Sequence, residues 1–263
     1  MRQKILPLLL TVAFLLSIVV FLQRDDVSLN TSEDKQDSSV LDYKTEDGGS
    51  DKTIAFGDET YAYDLFVVED AADIRLIPNF KEKKTSEMTI KEYGCSALTS
   101  AGFYSEEGEP IGLFIHDFKK LSDFEKNNTF NGFFWINYLD TPLITRTVEQ
   151  EQARLAIQTG PILMENKEVI NLSLKNDKRA RRVVAATTGE NSVVFLAVYD
   201  EQSKLRGPLL DTLPEIMEKI SQTNNLNIAD AINLDGGSAS AFLSADDNLV
   251  ESVWVGGLFC IKD

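Results

Sequence analysis

Ala231-Ile232-Asn233-Leu234-Asp235-Gly236-Gly237-Ser238-Ala239-Ser240 is the stretch on which the reading of this chain turns. An apolar run carries the backbone inward and delivers an aspartate onto a pair of glycines. Two glycines in succession let main-chain N–H groups face a ligand with no side chain in the way. A carboxylate beside such amides can do acid–base or orienting work, and the amides can hold an oxyanion. A strand ending in a tight Asp-Gly turn would be written with the same letters. The rest of the chain has to decide between the two.

Working outward, the 263 residues divide by composition. Residues 1–4 are a short basic start. Ile5 to Leu22 is apolar apart from Thr11 and Ser17, and eighteen residues at about 1.5 Å each span roughly 27 Å, enough for a thin bilayer core. An uncleaved signal anchor is expected rather than a cleaved signal peptide, because the exit Ile18-Val19-Val20-Phe21-Leu22-Gln23-Arg24 lacks the small residues that cleavage needs. The basic start would stay inside and send the remainder across the membrane, to the extracytoplasmic side. Residues 23–52 have almost nothing apolar to bury and read as a disordered linker. Residues 53–263 are long enough for one domain with its own core.

Charge excludes one class of partner. The chain holds 26 basic and 42 acidic side chains, net −16, and residues 53–263 keep 20 against 33 of them. Nucleic-acid binding needs a basic surface, and none is evident. The two cysteines, Cys95 and Cys260, leave a single disulfide and two buried thiols both open. The lone histidine, His116, provides no triad base for Ser238, and the spacing of Asp235, Asp246 and Asp247 fits no calcium loop. Neither a metal nor a cofactor is expected.

Along the domain, Thr53 to Phe56 and Tyr61 to Val68 alternate about Gly57-Asp58-Glu59 as a hairpin. A helix capped at Thr85 or Ser86 should end at Gly94. Further strands are expected at 73–78, 95–103, 111–116, 128–137, 156–164, 183–186, 193–199, 228–234 and 253–261. Val148 to Arg154 reads as a short helix, and Pro208 to Thr223 as a longer one with Leu209, Leu213, Ile216, Met217 and Ile220 on one face. The expected fold class is α/β, a single mixed-sheet domain with helices packed against it.

Four strand ends carry glycine: Ala101-Gly102-Phe103-Tyr104, Asn131-Gly132-Phe133-Phe134, Gln158-Thr159-Gly160-Pro161 and Asp235-Gly236-Gly237. Glycine inside a strand marks a bulge or a close backbone approach. If the four ends converge, they make a floor of exposed amides framed by aromatics, suited to a sugar or a phosphate. With Arg181-Arg182-Val183-Val184 between them, these segments in this order resemble the phosphodiester glycosidase domain family, over roughly residues 85–262.

The resemblance implies hydrolysis of a sugar-1-phosphodiester on a glycan or envelope polymer. The phosphate leaving group is already stabilised, so charge stabilisation matters more than proton donation. It also implies roles by position. Asp235 is the acid–base or nucleophilic carboxylate, and Arg181 the phosphate-binding guanidinium. Asn233 orients substrate hydroxyls or the carboxylate, Gly236, Gly237 and Ser238 give amides, and Gln158 forms a second polar wall. Gly160, Gly102, Asn131 and Arg182 complete the substrate contacts. Two positions depart from the family pattern, Ser100 where asparagine is usual and Ser238 where a third glycine is usual. They keep a non-catalytic module that binds carbohydrate or phosphoglycan as the alternative. A scaffold protein binding through Phe133, Phe134 and Trp135 is a third reading.

Overall fold

The computed structural model describes residues 52–263. The expected anchor over 5–22 lies outside them, as does the linker 23–52 except for its last residue. Among the described residues no helix is long and apolar enough to cross a membrane. The chain runs β1 (Thr53–Phe56), β2 (Glu59–Val68), β3 (Ile74–Pro78), α1 (Ser86–Tyr93), β4 (Ala97–Ser100), β5 (Phe114–His116), β6 (Lys119–Ser122), β7 (Gly132–Asn137), β8 (Pro142–Thr145), β9 (Ala153–Thr159), β10 (Ile162–Glu165), β11 (Glu168–Val169), β12 (Arg182–Thr188), β13 (Val193–Tyr199), α2 (Leu213–Thr223), β14 (Ile228–Asn233), β15 (Phe242–Leu243), β16 (Asn248–Leu249) and β17 (Gly257–Ile261).

The strands form three sheets. A seven-stranded sheet has the order β1-β2-β13-β12-β14-β10-β11; two five-stranded sheets have the orders β16-β15-β4-β17-β3 and β6-β5-β9-β7-β8. Every described pairing is antiparallel. This corrects the α/β expectation: the described residues are 41% strand and 13% helix, with two α-helices, and the fold is β-rich. Loop length is the physical reason. β12 and β13 are joined by a short turn, which closes a hairpin, whereas a parallel pair needs a crossover of a dozen residues or more.

The central strands read as unbroken apolar runs because both of their faces are covered. Val183, Ala185, Val193, Phe195 and Ala197 face one core cluster, while Val184, Ala186, Val194, Leu196 and Val198 face another. The second cluster is closed by Leu213, Ile216, Met217 and Ile220 of α2. In the first, the three sheets meet through aromatic rings. Phe195 of β13 lies 5.3 Å from Phe259 of β17, which lies 5.2 Å from Phe134 of β7.

Other expectations change in detail. α2 starts only at Leu213, with Pro214 in its first turn, where a missing N–H costs nothing. Val148 to Arg154 contracts to one 3-10 turn, Gln150–Gln152. The strand expected at 156–164 breaks at Gly160-Pro161 into β9 and β10, which belong to different sheets. Phe133, Phe134 and Trp135 are 4%, 0% and 6% exposed, so they form core and offer no binding face. Cys95 and Cys260 form a disulfide with Cα atoms 5.4 Å apart.

Candidate active site

Asp235 leaves the end of β14 at a junction between sheets. Its N–H donates to the Ala101 carbonyl at 2.9 Å, just past β4. Its own carbonyl accepts the Ser100 hydroxyl at 2.8 Å. Ser100 is fully buried. The serine at this position therefore pins the aspartate's main chain, and its side chain is not presented to a ligand. Next to it, the backbone of Arg181 crosses the glycine pair. A Cβ on Gly236 would sit 2.5 Å from the Arg181 carbonyl oxygen, and Gly237 takes φ +64°. The Gly237 N–H donates to that same carbonyl at 2.8 Å, so it is spent inside the fold. Ser238 is exposed.

The Asp235 carboxyl is 8% exposed. Burial lifts it from the ordinary 3.8 to about 8, opposed only by the Gly236 N–H that bonds it. Two residues back, Asn233 is 3% exposed. Its Nδ2 donates to the Gly160 carbonyl at 3.0 Å, while its Oδ1 is buried with no hydrogen-bond partner. Such an orphaned acceptor is costly in a folded protein and asks for a donor.

The β9–β10 break is held against this junction. The Gly160 N–H donates to the Asn233 carbonyl at 3.1 Å. At φ +147° a Cβ there would lie 2.6 Å from the Thr129 carbonyl, so only glycine fits. Asn131 accepts the Ile162 N–H on its Oδ1 at 3.1 Å. Gly102 packs over the Gln158 main chain. The four glycine-bearing strand ends are thus brought together.

Not every expected contact is left free for a ligand. Gln158 is buried, accepting the Leu113 and Glu125 N–H groups at 3.2 and 3.0 Å and donating to the Phe130 carbonyl at 3.0 Å. It ties loops together. Arg181 is 1% exposed. Its Nε donates to the Ser240 hydroxyl at 2.8 Å, and one terminal nitrogen to the Ser240 and Val250 carbonyls, the latter at 3.0 Å. Burial lowers it to about 10, the charge of Glu251 opposing, and it stays cationic. The guanidinium expected on the phosphate instead clamps the turn after the glycines. Arg182 points elsewhere, to Asp177 and the Pro208 carbonyl, each at 3.1 Å.

Two pairs of aromatic rings lie on the segments next to these strand ends. Phe103 stacks on Phe130 at 4.4 Å, and the Tyr104 ring lies 4.1 Å from Trp254. Burial, then the charge of Asp235, raises the Tyr104 phenol. The Ser238 carbonyl accepts the Ser252 and Val253 N–H groups at 2.8 and 2.9 Å, holding the Trp254 segment to the Asp235 turn. The signal was there for Tyr104, which directly follows Gly102-Phe103. Trp254 had none beyond its being one of two tryptophans. An open depression of about 700 Å³ near Ile115, Phe118 and Val148 contains none of these residues.

The phosphodiester glycosidase family model matches residues 93–255. The fold is similar to that of the zebrafish N-acetylglucosamine-1-phosphodiester alpha-N-acetylglucosaminidase catalytic domain, auto-inhibited by its pro-peptide. The TM-score is 0.59 at 15% identity over 77% of this chain and 83% of that one. It is also similar to a hypothetical protein from Synechocystis, with a TM-score of 0.57 at 10% identity over 80% of this chain and 61% of that one. No curated protein matches. The family match covers well over half of the sequence and includes the strand ends gathered around Asp235: the chain belongs to the phosphodiester glycosidase family.

Proposed function

We propose that this protein hydrolyses the bond between a sugar and phosphate in a sugar-1-phosphodiester, with Asp235 as its acid–base group. The observation that carries the reading is a buried carboxyl, lifted to about 8, at the sheet junction where the four glycine-bearing strand ends meet. At neutral pH this carboxyl rests protonated. It gives the proton to the phosphate oxygen as the C1–O bond breaks, and recovers one from the water that adds to C1. One water is consumed, and a reducing sugar and a phosphate monoester leave. Asn233 Oδ1, the orphaned acceptor, takes a hydrogen bond from the carboxyl or a sugar hydroxyl. Arg181 acts through the turn it clamps and is a positioning residue.

The protein's setting is part of the proposal. An apolar anchor at 5–22 would hold the domain on the extracytoplasmic face of a membrane, near envelope glycans. The Cys95–Cys260 disulfide supports an oxidising compartment.

The test is hydrolysis of a panel of sugar-1-phosphodiesters by the full-length protein, wild type against Asp235→Asn. Loss of about 10²–10⁴-fold in kcat/KM is expected, with a wild-type rate that falls as pH rises through about 8. Full activity in the variant would remove the role. A non-catalytic binding module is the second reading, favoured by the enclosed Arg181 guanidinium. It requires thermal stabilisation by a sugar phosphate with no turnover of any diester.

A further inference from the structure

A phosphodiester needs a cation to meet it, and the Arg181 guanidinium is enclosed by protein. Resting on the reading of Asp235 as the reaction centre, we infer that Lys83 and Trp254 form an anion-receiving wall beside the Asp235 turn, taking the phosphate side of the substrate.

The two are arranged as a unit. Lys83 Nζ stands 4.5 Å from the centroid of the Trp254 ring. Lys83 is exposed and makes no ion pair among the described residues, whereas its neighbour Lys84 is neutralised by Glu82 and Glu92 at 2.5 and 2.6 Å. The backbone beneath is built for the position. Lys83 takes φ +50°, a left-handed conformation that a side chain like lysine seldom adopts and that persists only when its surroundings impose it. Asn79, 3% exposed, does so. Its carbonyl accepts the Lys83 N–H at 3.0 Å. Its Nδ2 donates to the Lys84 and Val255 carbonyls, and its Oδ1 accepts the Lys84 N–H, all at 2.8 Å. One buried amide therefore fixes the main chain beside both the lysine and the tryptophan.

Contact leads from this pair to Asp235. The Trp254 indole lies against Tyr104, whose hydroxyl donates to the Trp254 carbonyl, and the Ser252 and Val253 N–H groups just before Trp254 donate to the Ser238 carbonyl of the Asp235 turn at 2.8 and 2.9 Å. Gly108 permits the fit, since a Cβ there would stand 3.3 Å from the indole. An ammonium held on an indole face and engaged in no ion pair among the described residues attracts a phosphate as a point charge. The exposed part of the indole offers a surface for a sugar ring.

The experiment uses the full-length protein, titrated with inorganic phosphate while the indole N–H resonances of Trp254 and the buried Trp135 are followed by NMR. Only the Trp254 signal should move. Lys83→Met should weaken the apparent Kd at least fivefold, and Lys83→Arg should restore it. On a hydrolysed diester, Lys83→Met should raise KM at least fivefold with kcat within twofold of wild type. A Trp254 signal that ignores phosphate, or a Lys83→Met protein that binds as tightly as wild type, overturns the wall. If phosphate binding depends on Lys83 but no diester is ever cleaved, the wall stands and the catalytic reading falls. Turnover that Lys83→Met leaves unchanged in KM has the reverse meaning.

Discussion

Arg181 carries a positive charge in a place with almost no water, and its partners say what that charge is for. Its donors bond the Ser240 hydroxyl and the carbonyls of Ser240 and Val250, while its own carbonyl holds Gly237. Both ends of the residue thus lock the segment after Asp235. From sequence, an arginine before an apolar strand is equally a phosphate ligand or a clamp, because spacing does not report which acceptors surround the guanidinium. Replacement distinguishes them. Arg181→Met leaves several buried acceptors unsatisfied and should lower stability by about 2–4 kcal/mol, read as a shifted urea midpoint. KM for any diester it still cleaves should remain within twofold. A tenfold rise in KM at unchanged stability would restore the phosphate contact. Ser100 follows the same logic. A small hydroxyl fits its fully buried slot and bonds the aspartate's carbonyl.

Among the elements, those whose signals are local were legible. The β1–β2 hairpin and α1, with the Thr85 and Gly94 caps, follow from alternation and capping chemistry. β6 was missed because its turn, Asp117-Phe118, carries no turn signature. The two residues take φ +45° and +60°, positions where asparagine and glycine are favoured. Phe118 is 61% exposed and gains little burial in return. A side chain in this conformation costs about 1–2 kcal/mol, partly offset by the freedom a glycine would lose on folding. Phe118→Gly should therefore stabilise the protein by about 0.5–1 kcal/mol, seen as a rise in Tm of roughly 1–4 °C. An unchanged or lower Tm would mean that the ring packs usefully against its hairpin. The sheet assignment was not legible for a different reason. The run from Ala156 to Met164 holds Gln158, Thr159 and Gly160-Pro161 between apolar residues, which reads equally as one bulged strand or as two, and only the three-dimensional position of Gly160 sends β9 and β10 into separate sheets. That same break brings Asn131 and Asn233 to the site, so the candidate residues could be named from sequence while their directions could not.

For the molecule as a whole, two kinds of tie act on stability. The Cys95–Cys260 bridge spans 165 residues, and a loop of that length should contribute about 2–5 kcal/mol by constraining the unfolded chain. Urea unfolding with and without a reductant measures it, and coincident curves would remove the contribution. Protonation acts in the opposite sense to the usual carboxylate. Burial raises Asp235 to about 8 and Asp247 to about 6, from an ordinary 3.8, with the charge of Asp64 adding to the second. The folded protein then keeps protons that the unfolded chain has released. Their contribution is greatest below the unfolded value and is lost as pH rises, through about 6 for one group and about 8 for the other. The expected slope is up to about 1.4 kcal/mol per pH unit for each proton retained. Glu59, lowered by its bonds to Tyr61 and Arg179, works the other way only under acid conditions. Stability should therefore be greater at pH 5 than at pH 8.5, by several degrees in Tm. In Asp235→Asn, which cannot ionise, most of that difference should vanish and the protein at pH 8.5 should melt higher than wild type. If the variant kept the full pH dependence, the Asp235 carboxyl would already be charged in the native protein, and neither its role as a resting proton donor nor the cost of its burial would survive.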